Sequence, residues 1–348
     1  MNAEKKDIRK SNYELLRIVA MVMIIAHHLA LHTEWSLNVG ETVSLDYLWI
    51  RFILMGGKLG VNIFVLISGY FLSQKSRITI KKTFSLWTTI LFYSVACYFV
   101  GICIGTVKFS IFGLVKCFAP VTTVGWWYAT TYFVLFLLSP YINILVSHLE
   151  KKEYRGILLL MLIIWSIIPT ITNYTWENND LTWFVFVYLI GGYIRKFGLF
   201  ENLSTGKNVV GAIVAVLMEF VVATIFDFFS LSGLIYGVSN RNYFYEMNHI
   251  TALCTSVMIF LCFSRINIKN NRIINCIAIT TFGIYLLHDN QCIQHYLWND
   301  IICAMRFDDS ALLIPYSLAV VLIIFMCCGM IEFVRKKIFD FVLVKRDE

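Results

Sequence analysis

Charge is scarce in this sequence of 348 residues: only 15% of the side chains are charged, whereas 59% are hydrophobic. A soluble domain carries about 25% charged residues, so this chain has too few to cover a water-exposed surface. The mean hydropathy of +0.72 agrees with that shortage. The composition excludes soluble globular, disordered and fibrous proteins, and it predicts an integral membrane protein.

Segments typical of linkers are also lacking, since the chain has only four prolines and no low-complexity tract. We therefore predict a single domain over residues 1–348. The opening residues MNAEKKDIRKSN precede an apolar run that is too long for the hydrophobic part of a cleavable signal peptide. We expect this run to remain as the first membrane span.

Metal-binding and disulfide patterns are missing from the cysteines. The ten cysteines fall mostly in apolar stretches and show neither a CxxC pair nor a Cys/His spacing of the zinc type. Free cysteine behaves as a small hydrophobic residue. We predict packing roles for these residues, with no disulfide and no metal site.

Long apolar runs, by contrast, are abundant. A helix needs about 20 residues to cross a hydrocarbon layer of about 30 Å, and ten runs approach or exceed that length. The runs cover residues 13–33, 50–72, 84–105, 126–147, 156–172, 181–194, 208–230, 245–264, 273–289 and 311–334. We predict an all-α polytopic membrane protein with about ten transmembrane helices, of which the sixth is the shortest.

Lys and Arg concentrate in alternate connections between these runs. They cluster in the N-terminal segment, in the loops after the second, fourth, sixth and eighth runs, and in the tail. Because cytoplasmic loops are enriched in Lys and Arg, the pattern predicts that both termini are cytoplasmic. The net charge of +7 is thus an orientation signal. We expect a lipid bilayer, and no nucleic acid, as a partner.

Ionisable side chains inside the runs are candidates for function, because each costs a few kcal/mol unless it faces protein or water. Arg17 and His28 are eleven residues apart, close to three full helical turns, and so share one helix face. His27 points about 100° away from that face. For His27, a structural hydrogen bond to a neighbouring helix is the simpler interpretation.

Three of these side chains are predicted to lie at similar depth. His28 and His288 are each fifteen residues from the cytoplasmic end of their runs, or about 22 Å along a helix. Lys58, in a run of the opposite direction, is about 18 Å from the same side. The sequence therefore predicts a protein-lined polar cavity between the midplane and the outer interface.

Polar and aromatic residues also open two runs from the outer side. Glu246, Asn248 and His249 begin the eighth run, and Trp127 and Tyr128 begin the fourth. These five are candidate substrate-binding residues at an upper rim. For Trp127 and Tyr128, the aromatic belt of a membrane interface is an alternative explanation.

Four strings occur in this order: NYELLRIVAMVMIIAHHLALH, GKLGVNIFVLISGYFLSQK, GWWYATTYFVLFLLSP and TTFGIYLLHDN. They resemble the first, second, fourth and a late helix of acyltransferase family 3, bacterial membrane-bound O-acyltransferases. The resemblance implies transfer of an acyl group, most often acetyl, from cytoplasmic acyl-CoA to a hydroxyl of a cell-surface polysaccharide, such as a capsule or exopolysaccharide, or of its lipid-linked precursor. It also implies a multi-pass protein of the bacterial cytoplasmic membrane. Acetyl-CoA is then a co-substrate, and no permanently bound cofactor is expected.

Acyl transfer to an alcohol needs a base for the hydroxyl proton and a donor for the oxyanion. His28 and Arg17 match the family's signature pair, and histidine is the side chain suited to a base near neutral pH. We predict His28 as the general base. Lys58, or alternatively His288, is predicted to polarise the thioester carbonyl. The choice of ring nitrogen, and of direct transfer or an acyl-enzyme, stays open.

Coenzyme A carries phosphates, and its predicted binding residues are cations at the cytoplasmic side. Lys75, Arg77, Lys81 and Lys82 follow the second run, where relatives often show an Arg-x-x-Arg pattern, and Arg17 lies deeper. Membrane topology alone is an alternative reason for the loop cations.

A transporter or flippase of a lipid-linked sugar is the main rival function, since intramembrane cations also line substrate pathways. The two halves show no matching hydropathy repeat and no paired broken helices. A glycan polymerase, a third possibility, calls for a longer charged outer loop than the sequence has. The acceptor, the acyl chain length and the oligomeric state stay open.

Overall fold

The structure is a computed structural model that describes residues 9–35, 44–123, 126–172, 174–176, 178–231 and 243–344. Within these ranges the regular secondary structure is helical, with no β-strand. The α-helices are α1 (Ser11–His32), α2 (Leu45–Leu72), α3 (Ile80–Ile104), α4 (Ile111–Cys117), α5 (Pro120–Thr123), α6 (Trp127–Ser147), α7 (Lys151–Leu162), α8 (Ile168–Thr172), α9 (Asp180–Phe197), α10 (Thr205–Leu231), α11 (Ile250–Arg265), α12 (Arg272–Ala278), α13 (Thr281–His288) and α14 (Leu313–Val344). The predicted all-α fold class is confirmed.

Seven helical segments of the described chain are long and apolar enough to cross a membrane. They are Ser11–His32, Leu45–Leu72, Ile80–Ile104, Trp127–Ser147, Lys151–Thr172, Thr205–Phe229 and Leu313–Phe341. The other three predicted spans correspond to α9, α11 and the pair α12 and α13, which are shorter. The count of ten spans and the cytoplasmic termini stay predictions, and residues 1–8 and 345–348 lie outside the described chain.

Helix α9, Asp180–Phe197, extends beyond the sixth predicted span, 181–194, at both ends. The Asn179 side chain caps it by accepting hydrogen bonds from the backbone N–H groups of Leu181 and Thr182, each over 3.0 Å. Its aromatic residues Trp183 and Phe184 are fully buried, and the helix packs against α2 and α6. Many of its apolar side chains therefore face other helices.

The ninth predicted span is interrupted, and the eighth begins later than predicted. Ile279 and Thr280 separate α12 from α13. The hydroxyls of Thr280 and of Thr281, the first residue of α13, donate to the carbonyls of Ile277 and Ala278 over 2.8 and 2.9 Å. Hydroxyls that bond nearby carbonyls compete with the helical pattern. The eighth span begins at Ile250, so Glu246, Asn248 and His249 lie in the preceding turn.

Helices α1 and α2 pack closely together, through glycines on α2. A Cβ atom on Gly60 would lie 2.8 Å from the Ala20 carbonyl oxygen, and one on Gly57 would overlap the His27 ring. Only glycine permits this approach. The α1 face that carries His27 is therefore held against the middle of α2.

The segment after α13 folds over the end of α1. Asn299 binds this end from both sides, since its amide donates to the His32 carbonyl and its oxygen accepts from the Glu34 N–H, each over 2.9 Å. A π-helical turn, Tyr296–Ile302, carries Asn299. These bonds fix Asp289 and Gln294, which precede the turn, beside the last turns of α1.

Candidate active site

A cavity of about 620 Å³ lies inside the bundle. Its walls come from α1, α2, α3, α6 and α13, together with the turns that follow α13 and precede α11. The polar and aromatic residues of the walls are Arg17, His27, His28, His32, Lys58, Phe64, Ser68, Trp127, Tyr128, Tyr132, Tyr245, Glu246, Thr281, Phe282, Tyr285, Asp289, Gln291 and Gln294. The cavity is large enough for a small organic group and its acceptor.

A chain of hydrogen bonds holds the His28 ring. His28 Nδ1 lies 2.8 Å from His288 Nε2, and His288 Nδ1 lies 2.6 Å from the Ile284 carbonyl oxygen. A carbonyl only accepts, so His288 Nδ1 carries a hydrogen, and neutral His288 has its lone pair on Nε2. His28 Nδ1 must then donate, which leaves the lone pair of neutral His28 on Nε2. This tautomer is assigned from the contacts.

His288 itself is fully buried behind His28 and is not among the cavity-lining residues. Both of its ring nitrogens have partners within the protein. The arrangement suits a residue that orients His28, and it leaves Lys58 as the better placed of the two predicted donors to a thioester carbonyl.

Asp289 lies next to the free side of the His28 ring. One carboxylate oxygen, Oδ2, is 3.7 Å from His28 Nε2, and the other, Oδ1, is 3.2 Å from His32 Nε2. Gln294 Nε2 lies 2.6 Å from Asp289 Oδ1 and 2.7 Å from His32 Nε2. A proton taken up by His28 Nε2 would therefore lie beside a carboxylate, which stabilises an imidazolium ion.

His27 makes a structural hydrogen bond to a neighbouring helix, which is the simpler interpretation of this residue. Its Nδ1 lies 2.5 Å from the Leu54 carbonyl oxygen of α2. The ring also packs on Gly57 and forms part of the cavity wall. His27 thus joins α1 to α2 through one ring nitrogen.

Lys58 and a group of aromatic rings form another part of the cavity wall. The Lys58 ammonium lies 5.3 Å from the centre of the Trp127 ring, a distance at which the two attract each other. Tyr128 packs on Tyr285 of α13 with ring centres 5.3 Å apart, and it stacks on Tyr132 at 5.8 Å. The wall combines one cation with flat apolar faces.

The three predicted rim residues before α11 do not all line the cavity. Glu246 lines the cavity, whereas Asn248 and His249 are not among its lining residues. His249 is buried and packs its ring against Phe244, with ring centres 6.1 Å apart. Among these three, Glu246 is therefore the residue within reach of a ligand in the cavity.

Arg17 marks the other end of the cavity. Its side chain is 34% exposed, and its Nε lies 4.0 Å from Glu14 Oε2, a distance at which the attraction is weak. Ser68 and Leu86 line the cavity as well. Arg17 and His28 are thus brought to one cavity, eleven residues apart along α1.

The four predicted loop cations lie outside the cavity. Lys75, Arg77, Lys81 and Lys82 are exposed in the connection between α2 and α3 and at the start of α3. Lys75 lines a second, smaller hollow of about 310 Å³, together with Lys196. The main cavity, however, reaches α3 at Leu86, one helical turn after Lys82.

Three polar residues of the site escape prediction from the sequence. His32 is four residues after His28, a spacing that places both on one helix face, so a signal for it was present. Asp289 directly follows His288, but nothing in the sequence indicates that its side chain turns toward α1. Gln294 lies in an irregular segment without a motif, and only the fold reveals its contacts.

Comparison with protein-family models finds one match over nearly the whole chain. The model described as an acyltransferase domain, Acyl_transf_3, matches residues 10–332. No curated protein and no solved structure shows a significant similarity. The predicted resemblance is confirmed, and the chain belongs to acyltransferase family 3.

Proposed function

We propose that this protein is an O-acyltransferase of the bacterial cytoplasmic membrane, which transfers an acetyl group from cytoplasmic acetyl-CoA to a hydroxyl of a cell-surface glycan or its lipid-linked precursor. Membership of the family supports an acyltransferase. The donor, the acceptor and the residue roles are part of the proposal. Exopolysaccharide and capsule are the acceptor classes that it names.

One observation carries the proposal: His28 lines the cavity, and its Nδ1 lies 2.8 Å from His288 Nε2. A general base needs an unshared electron pair within hydrogen-bond reach of the substrate hydroxyl. The contacts of His288 assign the lone pair of neutral His28 to Nε2, which is then available to such a hydroxyl. The neighbouring Asp289 carboxylate favours the protonated ring once the proton has moved.

The reaction follows from this geometry. The acceptor oxygen attacks the thioester carbon while its proton moves to His28 Nε2. A tetrahedral intermediate forms, and its oxyanion lies toward the Lys58 ammonium. The carbon–sulfur bond then breaks, the thiolate of coenzyme A takes the proton from His28, and the ester is released. Positioning both substrates in one cavity adds to the rate.

The donor is expected to enter from the end of the cavity that Arg17 marks. Arg17 is available to a phosphate or to the polar pantetheine arm, because its own acidic neighbour is 4.0 Å away. Lys81 and Lys82 lie about one turn beyond Leu86, where the cavity meets α3. They suit the nucleotide phosphates, which remain in the cytoplasm.

The acceptor is expected at the other end, against Trp127 and Tyr128. Sugar rings present C–H faces that pack on aromatic rings, and Glu246 offers oxygens that accept hydrogen bonds from sugar hydroxyls. In this arrangement the glycan binds at the aromatic wall. The thioester binds along the face of α1 that carries Arg17 and His28.

Purified full-length protein with radiolabelled acetyl-CoA tests the proposal. The glycan is prepared from a strain that lacks the protein, so that its acceptor hydroxyls are free. We expect label in the glycan with wild-type protein and with His148→Gln, which alters an exposed histidine at the end of α6. If the glycan receives label in neither of the two samples, the proposal is wrong.

The rival function, a transporter or flippase of a lipid-linked sugar, has no support from the family match. It is tested with the same protein in liposomes. Movement of unmodified lipid-linked sugar across the bilayer, without transfer of label from acetyl-CoA, would favour the rival over the enzyme.

A further inference from the structure

Three electron-pair donors meet at one point of the cavity wall. His28, His32 and Asp289 each offer one ligand atom, and these atoms lie within 4.8 Å of one another. The Asp289 oxygens are 3.7 Å from His28 Nε2 and 3.2 Å from His32 Nε2. All three side chains line the cavity, so a further ligand has access to the same point.

Gln294 is the hydrogen-bond donor beside this point. The Gln294 amide nitrogen lies within 2.7 Å of both Asp289 Oδ1 and His32 Nε2. His32 Nε2 also lies 3.2 Å from Asp289 Oδ1, and its role toward these two partners depends on the ring tautomer; a metal ion binds the tautomer with the lone pair on Nε2 and replaces the contact to the amide. His28 Nε2 carries the lone pair of the neutral ring, because His288 accepts the hydrogen of Nδ1.

We infer that His28, His32 and Asp289 form a binding site for a divalent transition-metal ion, with zinc as the ion of best fit. Two histidines and one carboxylate, with a fourth position open to solvent or substrate, are a common zinc ligand set. Tetrahedral ligands with bonds of about 2.0–2.1 Å lie about 3.3 Å apart. The Asp289 oxygens lie close to that distance from both histidine nitrogens, and because all three ligand atoms lie within 4.8 Å of one another, side-chain rotations bring them to one ion.

The surroundings of the three ligands also suit a metal. A metal-bound histidine usually donates its other ring N–H to a fixed acceptor, as His28 does to His288. Asp289 Oδ1 accepts a hydrogen bond from the Gln294 amide over 2.6 Å, which holds the carboxylate in place. Lys58 and Arg17 are cations of the cavity wall, and Glu246 is a further acid in it. Repulsion from Lys58 weakens the binding of a metal ion.

Zinc at this site takes up the lone pair of His28 Nε2. In the proposed function that lone pair accepts the proton of the acceptor hydroxyl, so the bound ion inhibits transfer. This consequence rests on the proposed function, whereas binding itself does not. The cysteine spacing predicts no zinc site because the ligands come from α1 and from the residue after α13.

Equilibrium dialysis of the purified full-length protein against zinc chloride tests the site. The protein is stripped of metal and carries an affinity tag without histidine. We expect one zinc ion per chain at micromolar concentration. His32→Gln and Asp289→Asn should each weaken binding on the order of 100-fold, since a lost ligand costs at least as much as a lost supporting contact. His148→Gln is the matched control and keeps full binding.

Size-exclusion chromatography establishes that each variant is folded, and either variant alone suffices for the test. Absence of saturable zinc binding in the wild type, or equal binding in both folded variants, overturns the site. A transfer assay with and without zinc separates the two proposals. Reversible inhibition of at least tenfold supports both, whereas binding without inhibition supports the site and contradicts His28 as the base.

Discussion

Two polar clusters inside the helical bundle differ in what their hydrogen bonds leave over. In the first, Arg335 donates to both carboxylate oxygens of Glu332 over 2.6 and 2.7 Å, and the Tyr93 hydroxyl donates to Glu332 over 2.7 Å. In the second, His28 uses one ring nitrogen on His288 and leaves the other at the cavity wall. The charged groups of the first cluster are paired with each other, whereas His28 in the second cluster keeps an unshared electron pair on one ring nitrogen.

Burial alone would not separate these clusters. Glu332, Arg335 and His28 are exposed by 3, 8 and 8%. The difference lies in the partners, because the ion pair on α14 contacts Tyr93 of α3 and neither of its residues lines the cavity. A polar group in a membrane helix is thus structural when its partners use all of its bonds, and it is a candidate for chemistry when one bond faces a cavity.

The largest expected effect comes from His28→Gln, which keeps a side chain of similar size but removes the base. Turnover of acetyl-CoA into glycan ester should fall about 10²- to 10⁴-fold, the usual contribution of general-base catalysis. The thermal unfolding midpoint in detergent should change little. A variant that retains most of the wild-type turnover would remove His28 from the mechanism.

Glu332→Ala should show the opposite pattern. It leaves the buried Arg335 without its partner, which costs about 3–5 kcal/mol of unfolding free energy. Transfer per folded molecule should remain near the wild-type value. Lys337→Ala, at an exposed position of the same helix, is the control and should cost much less. Replacing Glu332 and Arg335 together by leucine should recover most of the loss.

His288→Leu sharpens the comparison, because it turns the satisfied nitrogen of His28 into an unpaired one. An unpaired buried donor costs about 1–3 kcal/mol of unfolding free energy. Without this partner the neutral His28 ring is no longer fixed with its lone pair on Nε2, so transfer should fall about tenfold, or about 1.4 kcal/mol of activation free energy. The loss should fall on kcat, since His288 does not line the cavity. An unchanged kcat in the folded variant would show that His288 does not orient the base.

Arg17→Ala should have the smallest of these effects and a different signature. Loss of one charge-assisted contact to the donor should raise the KM for acetyl-CoA about tenfold, with the KM for the glycan unchanged. Arg155→Ala is the matched control, because Arg155 is exposed on α7 and does not line the cavity. Equal changes in both variants would remove Arg17 as a donor-binding residue.

The sequence predicted the parts of this site that follow from helical geometry. The spacing of Arg17 and His28 places both on one face of α1, and counting from the span ends puts His288 at the depth of His28. The cavity-lining positions of Arg17, His28, Lys58, Trp127, Tyr128 and Glu246 accord with the predicted cavity. Helical periodicity carries this information because it fixes the helix face on which a residue lies and its depth along the helix axis.

Periodicity does not say which face meets which helix, and the rest of the site depends on that. Asp289 and Gln294 reach His28 and His32 because the segment after α13 folds over the end of α1. The break at Thr280 comes from hydroxyl bonds that hydropathy does not record. Asn248 and His249 do not line the cavity, because the turn before α11 directs only Glu246, among these three residues, toward it.

Nitrogen-15 NMR of histidine-labelled, metal-free protein at neutral pH tests the central claim most directly, with the His28 signals identified by their loss in His28→Gln. The account predicts that neutral His28 carries its hydrogen on Nδ1 and has an unprotonated Nε2, and that His288→Leu disturbs this preference. A hydrogen on His28 Nε2, unaffected by His288→Leu, would contradict it.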